Sequence, residues 1–151
     1  VLADVPDLAA TMDSAGVAPV AIYTLGPRVD DLASLATFEA QGFKPQATAL
    51  VLNEGLTDPT MAREDAFARV VRHSAFKAAV DRGATVLWMP RLEPSVAAEI
   101  EAKRLHFAAA RDGVSLKSRT TAPLGVFDRS RVRAWMAGMD AMFAPVAAWL
   151  P

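Results

Sequence analysis

Residues 47–52 read Ala-Thr-Ala-Leu-Val-Leu, a continuous apolar run with β-branched members that predicts a buried strand. Asn53 follows it directly. Similar short runs occupy residues 1–5, 19–25 and 85–89, and longer segments with helical spacing separate them. This alternation is typical of β/α units around a mainly parallel sheet. We therefore predict an α/β fold in which a mainly parallel sheet is flanked by helices.

The segments between the strands predict several helices. Apolar residues recur there at steps of three and four, over residues 7–15, 28–41, 95–111 and 130–150. Asp58-Pro59 offers an N-cap followed by proline at the first helical position, so another helix is predicted to begin there. We expect it to break near His73 and to end at Gly83. No repeat or linker divides the chain, which predicts a single domain over 1–151.

Composition bounds the class of protein. The chain has 151 residues, of which 52% are hydrophobic and 22% charged, which fits one globular domain and excludes an intrinsically disordered chain. It has no cysteine, which excludes disulfides, thiolate metal sites and cysteine nucleophiles. No apolar run reaches the roughly 18–20 residues that span a bilayer, and no signal peptide is evident. We expect a cytoplasmic protein. Because the chain starts without Met inside a predicted strand, we also expect an upstream segment.

Charge is unevenly distributed. The net charge is −1, but residues 1–60 carry eight acidic and two basic side chains, whereas residues 61–151 carry nine and fourteen. Such asymmetry can indicate a basic binding face, and scattered surface charge is the simpler interpretation.

Ligands of open parallel sheets bind beyond the carboxyl ends of the strands, so the residues that follow each run are the candidate site. Asp4 lies inside or at the edge of the first run and could hold water on Mg²⁺; it could also cap the next helix or pair with an arginine. Asn53 could read the edge of a purine base or simply form a turn. Pro90-Arg91 could lie beside a base or phosphate, or end the strand with a solvated arginine.

Together these short motifs resemble the ParA/MinD family of ATPases. Asp4-Val5-Pro6 is similar to the family's D-x-P Walker B segment, and Asn53 after Val51-Leu52 is similar to its adenine-reading Asn. Met89-Pro90-Arg91 resembles the hydrophobic-P-R segment on the other side of the base pocket. The resemblance covers most of residues 1–111.

The resemblance implies a P-loop fold that binds ATP and Mg²⁺. Asp4 would orient water on the metal ion and act in catalysis, while Pro6, Asn53, Met89, Pro90 and Arg91 would bind the nucleotide. No G-x-x-x-x-G-K-[ST] loop or its deviant form occurs in the chain. The family's P-loop strand, which lies between the strands at 1–5 and 19–25, is therefore expected in an upstream N-terminal segment of the same domain. Without that segment the chain should not hydrolyse ATP.

The resemblance also implies partners. Members of the family switch between states to partition or position DNA, plasmids or cellular complexes, and nucleotide holds them as dimers. Partition ATPases bind DNA nonspecifically through C-terminal basic residues, which here correspond to Lys103, Arg104, Lys117, Arg119, Arg131 and Arg133. A solvated face is the simpler interpretation of these residues. The apolar stripe of the last helix could pack on the sheet, form a homodimer or contact a membrane surface.

Two other functions stay open on sequence alone. One is a nucleotide-free interaction or scaffold module that kept the sheet and lost catalysis, and the other is an unrelated Rossmann-like enzyme. His73 and His106 lie on different predicted helices without carboxylates at ligand spacing, so a histidine metal site is not expected.

Overall fold

The structure is a computed structural model of the chain that describes residues 8–40, 45–114 and 122–149. These residues form two compact units. The first contains residues up to 89 and the C-terminal segment from 145, and the second contains residues 90–144. The predicted strand at 1–5 lies outside the described residues, and the single domain stays a prediction.

The first unit is built on a three-stranded parallel sheet with strand order β1-β2-β3. The strands are β1 (Val20–Leu25), β2 (Ala47–Asn53) and β3 (Thr85–Met89), each within one residue of its predicted bounds. Each connection contains helices, as crossovers between parallel strands require. The α/β prediction is thus confirmed as a parallel sheet with flanking helices, while the relation to P-loop proteins stays a prediction.

One face of the sheet carries the main core. Leu25, Leu50 and Leu52 lie on it and pack in a cluster with Leu32, Leu35, Phe67, Val70, Phe76 and Ala79. Each fully buried Leu or Phe contributes about 1.5–3 kcal/mol to folding. Side chains alternate between the faces of a strand, so the even-numbered residues of β1 lie on the opposite face. That face is buried at Ala49, Val51 and Leu87 but exposed at β1.

The first unit also contains short α-helices and 3-10 turns. They are α1 (Leu8–Ser14), α2 (Ala33–Ala40), α3 (Arg63–Ala66), α4 (Ala68–Arg72) and α5 (Ser74–Asp81), with 3-10 turns at Val29–Leu32 and Glu54–Leu56. The predicted break near His73 is confirmed. His73 has extended backbone angles, and its Nδ1 accepts a hydrogen bond from the Ala75 N–H at 3.2 Å, which caps α5.

The predicted helix start at Asp58-Pro59 is wrong. Asp58 Oδ1 accepts hydrogen bonds from the Thr60 N–H at 2.8 Å and the Thr60 hydroxyl at 2.7 Å, so the carboxylate closes a short turn. Helix α3 begins at Arg63, five residues later than Asp58. The side chain of an aspartate can cap a helix or close a turn with the same hydrogen bonds, and in this chain it closes a turn.

The second unit packs three helices around a smaller core. They are α6 (Pro94–Lys103), α7 (Phe107–Asp112) and α8 (Val126–Phe143), around Val96, Ile100, Ala110, Leu124 and Val132. The single helix predicted at 95–111 is wrong, because Arg104 adopts a left-handed conformation with φ 50° and ends α6. The Arg104 and Leu105 N–H groups bond back to the Glu101 and Ile100 carbonyls, a Schellman motif.

The last helix differs from its prediction at both ends. Helix α8 begins at Val126 and ends at Phe143, where a 3-10 segment, Ala144–Trp149, replaces the helix predicted to reach residue 150. Pro145 explains the change, since its ring clashes with the carbonyl four residues earlier in a continuing α-helix. Within the second unit, Val132 of the apolar stripe is fully buried and Trp135 packs on Phe107, with ring centroids 4.8 Å apart.

Candidate functional site

The carboxyl ends of β2 and β3 meet at one edge of the sheet, as expected for parallel strands. In the strand register Asn53 pairs with Met89, so two of the predicted nucleotide-binding residues are direct neighbours. Both side chains are half-buried. Leu25 of β1 pairs with Leu52 at the same edge. Asn53 and Met89 are therefore neighbours at this edge, and their role in binding stays a prediction.

The side-chain oxygen of Asn53 takes part in the local fold. Its Oδ1 accepts a hydrogen bond from the Gly55 N–H at 2.9 Å and so caps the 3-10 turn at Glu54–Leu56. Its Nδ2 makes no hydrogen bond with the residues that the structure describes. Asn53 therefore forms a turn, one of the two roles considered for it, and its amide nitrogen remains a donor at the edge of the sheet.

A guanidinium and an indole at this edge were not anticipated from the sequence. Arg63 of α3 places its guanidinium carbon 4.9 Å from the centre of the Trp88 ring, on the strand residue before Met89. Arg63 Nη1 lies 3.4 Å from Glu54 Oε1, and its Nε lies 2.9 Å from Glu64 Oε1. Arg63 carries no periodicity or motif that would mark it, because Glu54 and Trp88, with which it also interacts, belong to other elements.

The charges in this group reinforce one another. Hydrogen bonds with Glu64, and then with Glu54, raise the pKa of Arg63 above its ordinary value. The same bond from Arg63 lowers the pKa of Glu64. Arg63 and Trp88 thus form a cation–aromatic contact on the core face of the sheet, whereas Asn53 and Met89, one residue later in their strands, lie on the other face.

The turn after β1 packs closely against the side chains of Asp31 and Leu56. Gly26 is buried, and a Cβ there would lie 2.6 Å from Asp31 Oδ2 and 3.2 Å from Leu56 Cδ1. Asp31 Oδ2 also accepts a hydrogen bond from the Arg28 N–H at 3.2 Å. A larger residue at Gly26 would require the ends of the Asp31 and Leu56 side chains to shift, so glycine permits the present close packing of this turn.

Other predicted residues are placed differently. Asp4 and Pro6 lie outside the described residues. Pro90 and Arg91 follow Met89 in the chain and belong to the second unit. The Pro90 carbonyl accepts a hydrogen bond from Trp135 Nε1 at 2.8 Å. One of its two lone pairs therefore serves the local fold of the second unit.

The predicted DNA-binding side chains differ in their exposure and in the ion pairs that they form. Lys103 Nζ lies 2.6 Å from Glu99 Oε1 and 3.2 Å from the Pro123 carbonyl, and only 19% of its side chain is exposed. Arg131 Nη1 lies 3.0 Å from Asp128 Oδ1. Arg104 and Arg133 are exposed. Lys117 and Arg119 lie outside the described residues. DNA binding stays a prediction, and Arg104, Arg131 and Arg133 are its exposed candidates in the described chain.

A cavity of about 260 Å³ lies elsewhere in the first unit. Tyr23, Thr48, Ala84 and Arg82 are among the residues that line it, with Gln46 and Ala47 at the amino end of β2. Burial raises the pKa of the Tyr23 phenol. Of the predicted nucleotide-binding and DNA-binding residues that the structure describes, none lines this cavity.

Within residues 8–40, 45–114 and 122–149, no three His, Asp or Glu side chains form a group that could hold a metal ion. None of the helices described there combines the length and apolarity that crossing a bilayer requires. Comparison of the chain with models of known protein families, with curated proteins and with solved structures found no match.

Proposed function

We propose that the chain is the base-binding and magnesium-binding part of a ParA/MinD-type ATPase, a switch that partitions, positions or transfers DNA or a cellular complex. The observation that carries the proposal is the pairing of Asn53 with Met89 at the carboxyl edge of a parallel sheet. This is the edge where open α/β sheets bind ligands, and the Asn53 amide nitrogen is left there as a donor.

In this proposal the Asn53 Nδ2 donates a hydrogen bond to a ring nitrogen of adenine, while Oδ1 keeps the cap on Gly55. The thioether of Met89 packs against the flat face of the base, a contact that polarizable sulfur makes favourably. Asp4 would orient water on Mg²⁺. The phosphate-binding loop is assigned to an upstream segment, because the chain contains no glycine-rich loop of that kind.

The test is a titration of the chain with adenosine, followed by NMR of the side-chain amides. Asn53 is the only asparagine in the chain, so its NH₂ signals stand apart from those of Gln41 and Gln46. We expect adenosine to shift the Asn53 signals at about millimolar concentration, because only the base side of the site is present. Cytidine at the same concentration serves as the control ligand.

Two substitutions separate the cap from the ligand contact. Asn53→Asp keeps an oxygen that can accept from Gly55 but removes the NH₂ donor, whereas Asn53→Ala removes both. We expect both variants to lose adenosine binding and only Asn53→Ala to lose stability, by about 1 kcal/mol. Adenosine binding that is unchanged in Asn53→Asp would remove Asn53 from the site.

The cap that Asn53 forms favours the alternative function, a nucleotide-free scaffold module. If Asn53 serves only the turn at Glu54–Leu56, its presence at the strand end needs no ligand, as in a nucleotide-free scaffold module. A chain that binds neither adenosine nor ATP, alone or with a phosphate-loop segment added in trans, would support that alternative over the ATPase.

A further inference from the structure

The cavity of the first unit lies on the core face of the sheet, at its amino end. Tyr23 and Ala84, which line it, pack against the main core. Thr48, near the start of β2, lines it too, and Ala84 immediately precedes β3. Asn53 and Met89 end the same two strands. The cavity is therefore separated from the candidate nucleotide site by most of the length of β2, about 15–20 Å.

Small side chains leave this cavity open. Elsewhere on the core face, large residues such as Phe67 and Phe76 fill the space between the sheet and the helices. Here Ala79, Gly83 and Ala84 form part of the wall. The volume of about 260 Å³ exceeds the roughly 150 Å³ that holds a benzene ring and falls below the roughly 300–1,000 Å³ of sites for drug-sized molecules. The space fits a compact body of ring size with one polar group, and it is too small for a nucleotide.

Two hydroxyl groups at the cavity are left to bind a ligand. Tyr23 and Thr48 line it, and neither hydroxyl makes a hydrogen bond with a residue that the structure describes. Neither oxygen is shut off from solvent, since Arg129 Nε is the one fully buried side-chain polar atom without a partner in the described chain. Burial raises the pKa of the Tyr23 phenol, so the phenol stays protonated and can donate. Both hydroxyls are therefore available to an oxygen of a ligand.

Arg82 is the charged residue among the described residues that line the cavity. It follows α5 as the C-cap, and its side chain is exposed. Arg82 has a partner of its own, but a guanidinium carries five N–H donors, so one contact leaves others for a ligand. None of the described lining residues is acidic. The charge at the cavity therefore favours an anion over a cation.

We propose that the cavity binds a small monocarboxylate with a compact apolar body, of about the size of benzoate. The carboxylate accepts hydrogen bonds from the hydroxyls of Tyr23 and Thr48 and from the guanidinium of Arg82, whose planar fork matches a carboxylate. The apolar body packs against Leu35 and Ala79, which are buried in the main core. The inference does not rest on the proposed function, because the cavity and the nucleotide site lie at opposite ends of the strands.

A titration with benzoate, followed by NMR of the backbone amides, tests the site. We expect the signals of Gly83 and Ala84, which line the cavity, to shift with a Kd of roughly 0.1–1 mM, an affinity that suits so small a ligand. Acetate lacks the apolar body and benzyl alcohol lacks the charge, so each should bind about tenfold more weakly. Absence of these shifts at about 10 mM benzoate would overturn the proposal. Equal affinity for benzyl alcohol and benzoate would overturn the choice of an anion.

A threonine variant tests the hydroxyl contact. Thr48→Val keeps the branched shape and removes the hydroxyl, so we expect benzoate to bind about 2–10-fold more weakly. The fold should lose no stability, because this hydroxyl has no partner in the described chain. Thr24→Val is the matched control, since Thr24 follows Tyr23 in β1 and lies on the opposite face of the sheet. It should bind benzoate like the wild type.

An arginine variant tests the charge. Arg82→Gln should weaken benzoate binding by about tenfold, as expected for loss of a hydrogen bond to a charged group. It should leave the weak binding of benzyl alcohol unchanged. Arg72→Gln, at the end of α4 and away from the lining, is the control for the loss of one positive charge. Wild-type affinity for benzoate in both Thr48→Val and Arg82→Gln would overturn the assignment of the ligand to this cavity.

Discussion

The guanidinium of Arg63 stacks on the indole of Trp88, with 4.9 Å between the guanidinium carbon and the ring centre. Trp88 in turn meets the edge of Phe67, with ring centroids 5.6 Å apart and planes at 83°. The three side chains form a column from solvent to the fully buried Phe67. The contact links α3 to Trp88, near the carboxyl end of β3.

Replacing Arg63 with Ala should lower the free energy of unfolding by about 0.5–1 kcal/mol, the range of a partly exposed cation–π contact. The ion pair of Arg63 with Glu64 is exposed and the one with Glu54 partly so, and both should add little. Urea denaturation with and without 0.5 M NaCl, a salt level of roughly 4 Å screening length, measures this. Arg69→Ala, on the exposed side of α4, is the control. A loss that disappears in salt would assign the effect to the ion pairs.

Phe67→Ala should be among the most destabilising single changes in the first unit. Phe67 is fully buried in the main core and also supports the Trp88 ring, so its removal leaves a cavity and loses an aromatic contact. We expect a cost of about 3–5 kcal/mol in thermal or urea unfolding. Phe127→Ala removes a side chain that is 84% exposed and should change stability by less than about 0.5 kcal/mol. Similar losses in both variants would contradict the assigned core.

The strands could be predicted because their signal is local. The runs ending at Leu25, Asn53 and Met89 combine β-branched and apolar residues over a few positions, and each stops at a polar residue, glycine or proline. The errors lie where one residue decides between two local hydrogen-bonding patterns. Asp58 can cap a helix or close a turn, and a left-handed arginine at Arg104 has no sequence signal comparable to that of glycine.

The candidate site could be predicted only in part. The pairing of Asn53 with Met89 follows from the rule that parallel strands end at a common edge. The contacts of Arg63 depend on how α3 packs after an irregular segment, and tertiary packing of that kind leaves no periodic pattern. Trp88 is the residue whose sequence position could have indicated this contact, since an aromatic side chain near a strand end commonly has a polar partner.

Arg104→Gly should stabilise the second unit. Arg104 has φ 50° at the end of α6, a conformation that costs an L-residue about 1–2 kcal/mol and costs glycine almost nothing. The more flexible unfolded chain offsets part of that gain, by about 0.4–1 kcal/mol, so we expect a net increase of about 0.5–1 kcal/mol. Arg104→Ala is the control, because it removes the same side chain and retains the strain. Equal stability of the two variants would show that the backbone conformation is not the cause.

Glu93 should make stability depend on pH in the acid range. Its carboxylate accepts hydrogen bonds from the Ser95 hydroxyl and from the Ser95 and Val96 N–H groups at the start of α6. The Ser95 hydroxyl is the largest cause that lowers the pKa of Glu93 below its ordinary value of 4.5, and the charge of Arg131 adds to it. A carboxyl whose pKa is lower in the folded state stabilises the fold above the unfolded pKa. That contribution is lost as the pH falls through the folded pKa.

Glu93→Gln keeps an acceptor oxygen but cannot ionise, so it should be less stable than the wild type at pH 7. The difference should shrink as the pH falls below about 4.5, because the wild-type carboxyl then becomes neutral too. Urea denaturation at a series of pH values measures this, with Glu101→Gln in the same helix as a control for the loss of one negative charge. A difference that stays constant from pH 7 down to about pH 3 would show that the Glu93 charge does not stabilise the start of α6.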